Sequence, residues 1–413
     1  ACTVDATCAG GKCQAGQPIL SSKDWPVAAQ YSGRWLGVAG RYGGRYMAVG
    51  TQQKSQGDIQ RYALAAYDAA GKMIWSWQDT GLAPSALRGA TTGPADWGYG
   101  IGDLGGDLLM VRETTAKGPP VFLWKDTGTQ RGFSITKADN DYLYAVGDTT
   151  SADVSTDGRV WRIQAGSWKL IWTKTFGAPG QSEGFRAVSS GPESTLAAAG
   201  RREQDKSAWW LLADSNGVEQ ASGALTKGKG DCTFAAAIFS TKGHWVFGGT
   251  CTGEGLLAAI DPAGKPLWSQ TETFNKPLDG TAFGALIALS DGSTLALGDA
   301  GSANRDRFLV RHGPDGKRLE LQPLGVTATW DHGLAMALLP RRGLVLAGQS
   351  SKSKVGVSAP SLQRTDAWGR VDCKLSGGCT DKLQPDCDDA NKCTVDACDG
   401  AKGCTHSAIA GCP

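Results

Sequence analysis

Histidine is scarce in this chain. There are four in 413 residues, His244, His312, His332 and His406, and no His-x-x-x-His or Cys-x-x-Cys spacing occurs. A transition-metal centre or a histidine-based triad is therefore poorly supported. Neither sign of charge dominates: 42 Lys and Arg stand against 40 Asp and Glu, a net charge of +2. That balance gives no electrostatic case for nucleic acid or an anionic membrane. No apolar run approaches the ~18 residues of a membrane span. A signal peptide is missing as well, yet the first residues already lie inside a cysteine motif, which points to a processed or trimmed chain.

Glycine is abundant instead: 58 residues, about twice the ordinary share of ~7%. Seven of them, Gly71, Gly118, Gly166, Gly217, Gly264, Gly316 and Gly369, recur at intervals of 47, 48, 51, 47, 52 and 53 residues. A fixed period in this range is the signature of a repeat architecture. Several close one short phrase, as in Asp68-Ala-Ala-Gly71, Asp214-Ser-Asn-Gly217, Asp261-Pro-Ala-Gly264 and Asp366-Ala-Trp-Gly369. This is turn chemistry: Asp opens the turn and glycine takes a left-handed position. Apolar strands follow, with tryptophans Trp75, Trp124, Trp172 and Trp268 at matching places, which suits packing between repeats.

A second marker keeps step with the first. Small apolar strands end at Gly50, Gly147, Gly200, Gly249, Gly298 and Gly348, while in the second unit Leu109-Met-Val-Arg112 occupies the slot. Each unit reads as four short antiparallel strands, and seven units as blades around an axis. The expected fold is all-β, resembling seven-bladed β-propellers, over residues 31–372. Segment Gln17–Gln30 is expected to be a linker or the strand that closes blade seven, since an open ring exposes strand edges.

Twelve cysteines imply an oxidising compartment. Cys232 and Cys251 flank a hairpin near Thr241-Lys-Gly243 and are expected to form a cross-strand disulfide. The other ten, Cys2, Cys8, Cys13, Cys373, Cys379, Cys387, Cys393, Cys398, Cys404 and Cys412, lie in segments 1–16 and 373–413. Cys2-Thr-Val-Asp-Ala6 is repeated as Cys393-Thr-Val-Asp-Ala397, and Cys8-Ala-Gly-Gly-Lys-Cys13 answers Cys398-Asp-Gly-Ala-Lys-Gly-Cys404. These segments resemble the cysteine-rich repeat of secreted and surface proteins of myxobacteria and related bacteria. The resemblance implies an extracellular or cell-surface location and no particular activity. Three cysteines at one end and seven at the other are both odd counts, so full pairing needs a bridge between the ends, within one molecule or head to tail between two.

Four motifs invite chemistry. Gly180-Gln-Ser182-Glu-Gly184 matches a serine-hydrolase elbow but lacks the strand–turn–helix setting that elbow needs. Gly100-Ile-Gly102-Asp-Leu-Gly105 matches a dinucleotide fingerprint with no helix to receive a pyrophosphate. Asp96, Glu183, Asp231, Asp279 and Asp331 are read as opening innermost strands, with His332 beside the last. They form either a carboxylate ring at one channel mouth, for a cation or basic ligand, or a set of turn caps and blade ties. The favoured reading is the second. Asp386, Asp388, Asp389, Asn391 and Asp396 crowd into the C-terminal module and are candidate calcium ligands, although the stretch fails the EF-hand template.

The expected function is that of a secreted, non-catalytic structural or interaction protein that self-associates into a filament through its ends, with an extracellular polysaccharide or surface protein as a further partner. The alternative is an extracellular polymer-degrading hydrolase or lyase, or a carbohydrate-binding propeller, with its site at the channel mouth. No catalytic residues are assigned and calcium is the only cofactor considered.

Overall fold

The computed structural model describes residues 32–365 apart from 54–57, 70, 114–120, 125–128, 140, 151–154, 179, 227–229, 273–279, 302–305, 325–329, 340–342 and 352–358, together with short terminal strands. It is a seven-bladed β-propeller. Six blades are built from four consecutive antiparallel strands. Their innermost strands are Ser32–Gly40, Ser85–Thr92, Thr129–Lys137, Glu183–Ser190, Cys232–Phe239 and Ala282–Ala288. In the seventh, Trp330–Leu339, Gly343–Ser351 and Ala359–Thr365 are completed by Lys23–Asp24 from the N-terminal region. Asp24 pairs with Ser361 and Lys23 with Leu362, so the ring is closed by a strand from the opposite end of the chain.

The core is divided rather than central. Among the described residues, buried apolar side chains fall into seven clusters, each drawn from two neighbouring blades. One joins Met47, Val49 and Leu64 of blade one to Leu87, Leu109 and Val111 of blade two. Another crosses the closing seam, setting Trp35, Val38 and Tyr46 against Leu339, Val345 and Leu362. Large aromatic residues contribute to this contact: Tyr99 of blade two meets Trp168 of blade three at 6.1 Å between ring centroids.

The turn phrase does what its residues demand. Asp214 Oδ1 accepts the amides of Asn216 and Val218, both at 2.8 Å, and Gly217 has φ +71°. Asp261 repeats this with Ala263 and Lys265. The turn also serves the neighbouring blade: the Trp172 indole donates to the Ser215 carbonyl at 3.1 Å, and Trp268 to that of Pro314 at 2.9 Å. In the third unit the marker fails. Gly166 is not in the left-handed region, and Trp168 takes it instead at φ 59°. Gly118 and Gly369 lie outside the described residues.

The second marker has a firmer cause. Every innermost strand carries a one-residue bulge, with Leu36, Arg88, Phe133, Arg186, Ala235, Gly284 and Leu334 as the extra residues. The second strand of each blade places a glycine opposite the residue before the bulge, as Gly147 opposite Gly132. The bulge presses a carbonyl of the inner strand into that space. A β-carbon on Gly147 would overlap the Arg131 oxygen, and the same overlap recurs with inner-strand oxygens at Gly50, Gly102, Gly200, Gly249, Gly298 and Gly348. The second blade therefore obeys the rule through Gly102, on Gly98–Leu104, and not through the slot at Leu109–Arg112, which is its third strand.

Both rejected motifs sit as their context required. Gly100 and Gly102 lie in a strand that turns at Gly105-Gly106 into the next strand. Ser182 precedes the strand Glu183–Ser190, and its hydroxyl accepts the Thr156 amide at 3.2 Å. Cys232 and Cys251 are register partners and form a disulfide.

Candidate functional site

A bulge places one extra side chain per blade on the strand that borders the axis. Leu36, Arg88, Phe133, Arg186, Gly284 and Leu334 are half-exposed and Ala235 is exposed, whereas the residues preceding each are buried. These seven positions fall at the third to fifth residue of the innermost strands, the strands that border the axis.

Blades two to four make this lining cationic and aromatic. The Arg186 guanidinium lies 3.8 Å from the Phe133 ring centroid, Arg88 lies 5.1 Å away and Arg131 5.9 Å. Such contacts favour cations on an aromatic face. Asp148, whose side chain is 1% exposed, anchors two of the three. It accepts from Arg131 Nε at 2.9 Å and Nη2 at 3.1 Å, a two-bonded fork, and from Arg186 Nη1 at 2.9 Å. Asp103 pairs with Arg88. Burial, with repulsion from Arg131, lowers the Arg88 pKa to about 10; Asp148 opposes the shift, and Arg186 and Arg34 add to it. Arg34 stands exposed on the first blade.

The predicted acids are dispersed. Asp96 does not open an innermost strand. It ends the turn Pro94–Asp96, between the first and second strands of blade two, and so belongs to the opposite mouth. There it ties blades together: its Oδ1 accepts the Tyr42 amide at 2.8 Å, and Oδ2 lies 3.6 Å from both Arg41 and Arg45. Glu183 does open its strand, but it is buried and accepts from the Ala178 amide at 2.9 Å and Arg202 Nε at 3.0 Å. Asp231 immediately precedes its strand and pairs with Arg201 of the preceding blade. Asp331 is the second residue of Trp330–Leu339, in register with Ser350. Asp279 lies outside the described residues. His332 makes an unpredicted contact: its Nδ1 is 3.0 Å from Oδ2 of Asp299 on blade six.

Of the suggested calcium ligands, Asp386, Asp388, Asp389 and Asn391 lie outside the described residues, and Asp396 is on the strand Thr394–Asp399 opposite His406. Among the described residues no three His, Cys, Asp or Glu gather as a metal site.

The arginines and their acids were missed by sequence reading, although one signal was available. Asp103, Asp148 and Asp299 each directly follow a marker glycine. That position faces the inner strand two residues before the bulge, so it reaches the channel mouth of its own blade or the next.

What fold and mouth define is a closed seven-bladed propeller with a partly cationic channel. Residues 386–409 match the family model of a Dictyostelium (slime mold) repeat. No curated protein matches the sequence. Among solved structures, a puromycin hydrolase S511A mutant is similar at 14% identity and a TM-score of 0.55, covering 83% of this chain and 53% of that one. Hydrazine synthase of Kuenenia stuttgartiensis gives 9% identity and 0.54, with 81% and 96% covered. A Dos1 propeller gives 10% and 0.51, with 84% and 95% covered. At these identities the likeness is one of fold. Among the described residues no helix is long and apolar enough to cross a membrane.

Proposed function

We propose that this chain is an extracellular, non-catalytic interaction propeller that assembles through its cysteine-rich terminal segments. The observation that carries the reading is the ring closure. Because Lys23–Asp24 is the outermost strand of blade seven and Ala359–Thr365 its neighbour, both terminal segments leave the propeller from one blade. The two segments also share a backbone pairing: Cys8 is opposite Cys13 in one hairpin, and Cys398 opposite Cys404 in another. Two copies of one small module at a single place on a closed ring suit a junction between molecules, and a junction that does not close on itself builds a filament. The extracellular placement rests on the cysteine count and the resemblance to secreted repeats.

The test is light scattering across a concentration series under oxidising and then reducing conditions. A ladder of multimers that collapses on reduction supports the assembly. A monomer at every concentration, with the terminal cysteines paired internally, contradicts it.

A hydrolase is the second reading, and the His332–Asp299 pair is what favours it. A carboxylate holding one imidazole nitrogen orients the ring for proton transfer at the other. Turnover of an extracellular polymer that disappears in His332→Ala, with the fold intact, would establish it.

A further inference from the structure

We propose that Arg34, Arg88, Arg131 and Arg186 form an anion site at the channel mouth that takes a ligand bearing closely spaced carboxylates. The inference deepens the interaction reading by naming the chemistry of a ligand at the propeller itself.

Three observations converge on it. The first is surplus charge. Arg34 joins the other three by register, since on the neighbouring first blade it holds, two residues before the bulge, the place that Arg131 holds on blade three. Four guanidiniums thus face two carboxylates, Asp103 and Asp148, leaving two positive charges in excess. Arg34 has no ion pair among the described residues. The second is access. Arg131 and Arg186 side chains remain 41% and 37% exposed although both are anchored on the buried Asp148. Anchoring fixes each planar fork, so less freedom is lost when a further oxyanion binds. Each guanidinium also keeps a terminal nitrogen outside the contacts just described: Nη1 of Arg131, Nη2 of Arg186 and Nη2 of Arg88.

The third is placement. Arg88 and Arg186 are bulge residues on blades two and four, flanking Phe133 on blade three, so their heads meet over one ring. Evenly spread surface arginines would not converge this way. The Arg131–Asp148 fork shows in the protein itself how a carboxylate seats here. Planar carboxylates match such forks in pairs, and two excess charges call for at least two of them.

Calorimetric titration of the full chain with citrate, at low ionic strength, tests the proposal, with sulfate and inorganic phosphate as the comparison probes. Citrate is expected to bind one site per chain, more tightly than either inorganic anion. Arg34→Ala removes a charge-assisted donor from an exposed side chain and should weaken binding by about tenfold. Arg186→Lys keeps the charge, loses the fork, and should weaken citrate more than sulfate. Lys317→Ala, on an exposed turn of blade six, should leave the affinity unchanged. No citrate binding, or binding that Arg34→Ala and Arg186→Lys leave untouched, overturns the site. A chain that stays monomeric but binds citrate sinks the assembly alone, and a multimer that ignores citrate sinks the anion site alone.

Discussion

The two halves of the channel use one backbone and opposite chemistry. At the bulge, blades two to four present Arg88, Phe133 and Arg186, while blades five to seven present Ala235, Gly284 and Leu334. Each bulge lies over a glycine that admits no β-carbon. The fold thus dictates the glycine and leaves the bulged residue free, and function has room only where the fold makes no demand. On the cationic side, acids are spent holding arginines in place. At the corresponding place on the other side, opposite the residue two before the bulge, Asp299 holds a histidine, His332 of blade seven.

If the backbone device is common to both halves, breaking it should cost the same in each. Gly147→Ala on the cationic side and Gly298→Ala on the other should both destabilise by upwards of about 3 kcal/mol, the range of forced overpacking and lost special geometry. Gly166→Ala, where a β-carbon meets nothing within 4 Å, should stay within ~0.5 kcal/mol. Denaturant melts of the three variants decide it. Tolerance at one glycine and collapse at the other would mean that the halves are built differently.

The disulfide belongs to one half only. Cys232 and Cys251 are both buried and are 19 residues apart. The double substitution to Ser should cost about 3 kcal/mol by loop-entropy reasoning, read as a lowered thermal midpoint. It should leave citrate affinity unchanged, because the bridge lies in blade five, away from the arginines.

Smaller effects should separate the halves in acid. Burial raises the Glu272 pKa, but hydrogen bonding and charge from His312, together with Arg318, outweigh it and hold the carboxyl below its usual range. A carboxylate depressed on folding stabilises above its unfolded value of ~4.3, and that contribution is lost as pH falls through the folded value. Stability should therefore decline below about pH 4.3, and more shallowly in Glu272→Gln. An unchanged acid limb in that variant would show the contact to be energetically silent.

Legibility followed the same division between backbone demand and side-chain freedom. Period, blade count and the disulfide were readable because turns and bulges accept few residues, whereas the sequence left Gln17–Gln30 open between a linker and the closing strand. Blade two was misread: its run of Gly98, Gly100, Gly102, Gly105 and Gly106 hid the one glycine opposite the bulge. The same slip moved Asp96 to the wrong mouth, since it precedes a second strand rather than a first. Gly166 kept the period but lost its role to Trp168. The arginine cluster was invisible because its members are divided between two repeat positions. Arg88 and Arg186 are bulge residues, whereas Arg131 lies two residues before its own bulge. Only the packing of consecutive blades around one axis brings them together.

The central claim is that the mouth is divided, with an anion seat on blades one to four alone. Its most direct measurement is anomalous diffraction from crystals of the full chain soaked in selenate. The account predicts one strong peak within hydrogen-bonding reach of Arg34, Arg88 and Arg186, abolished in Arg34→Ala and displaced by citrate. Peaks scattered over surface lysines, or seated beside blades five to seven with the arginines empty, would contradict it.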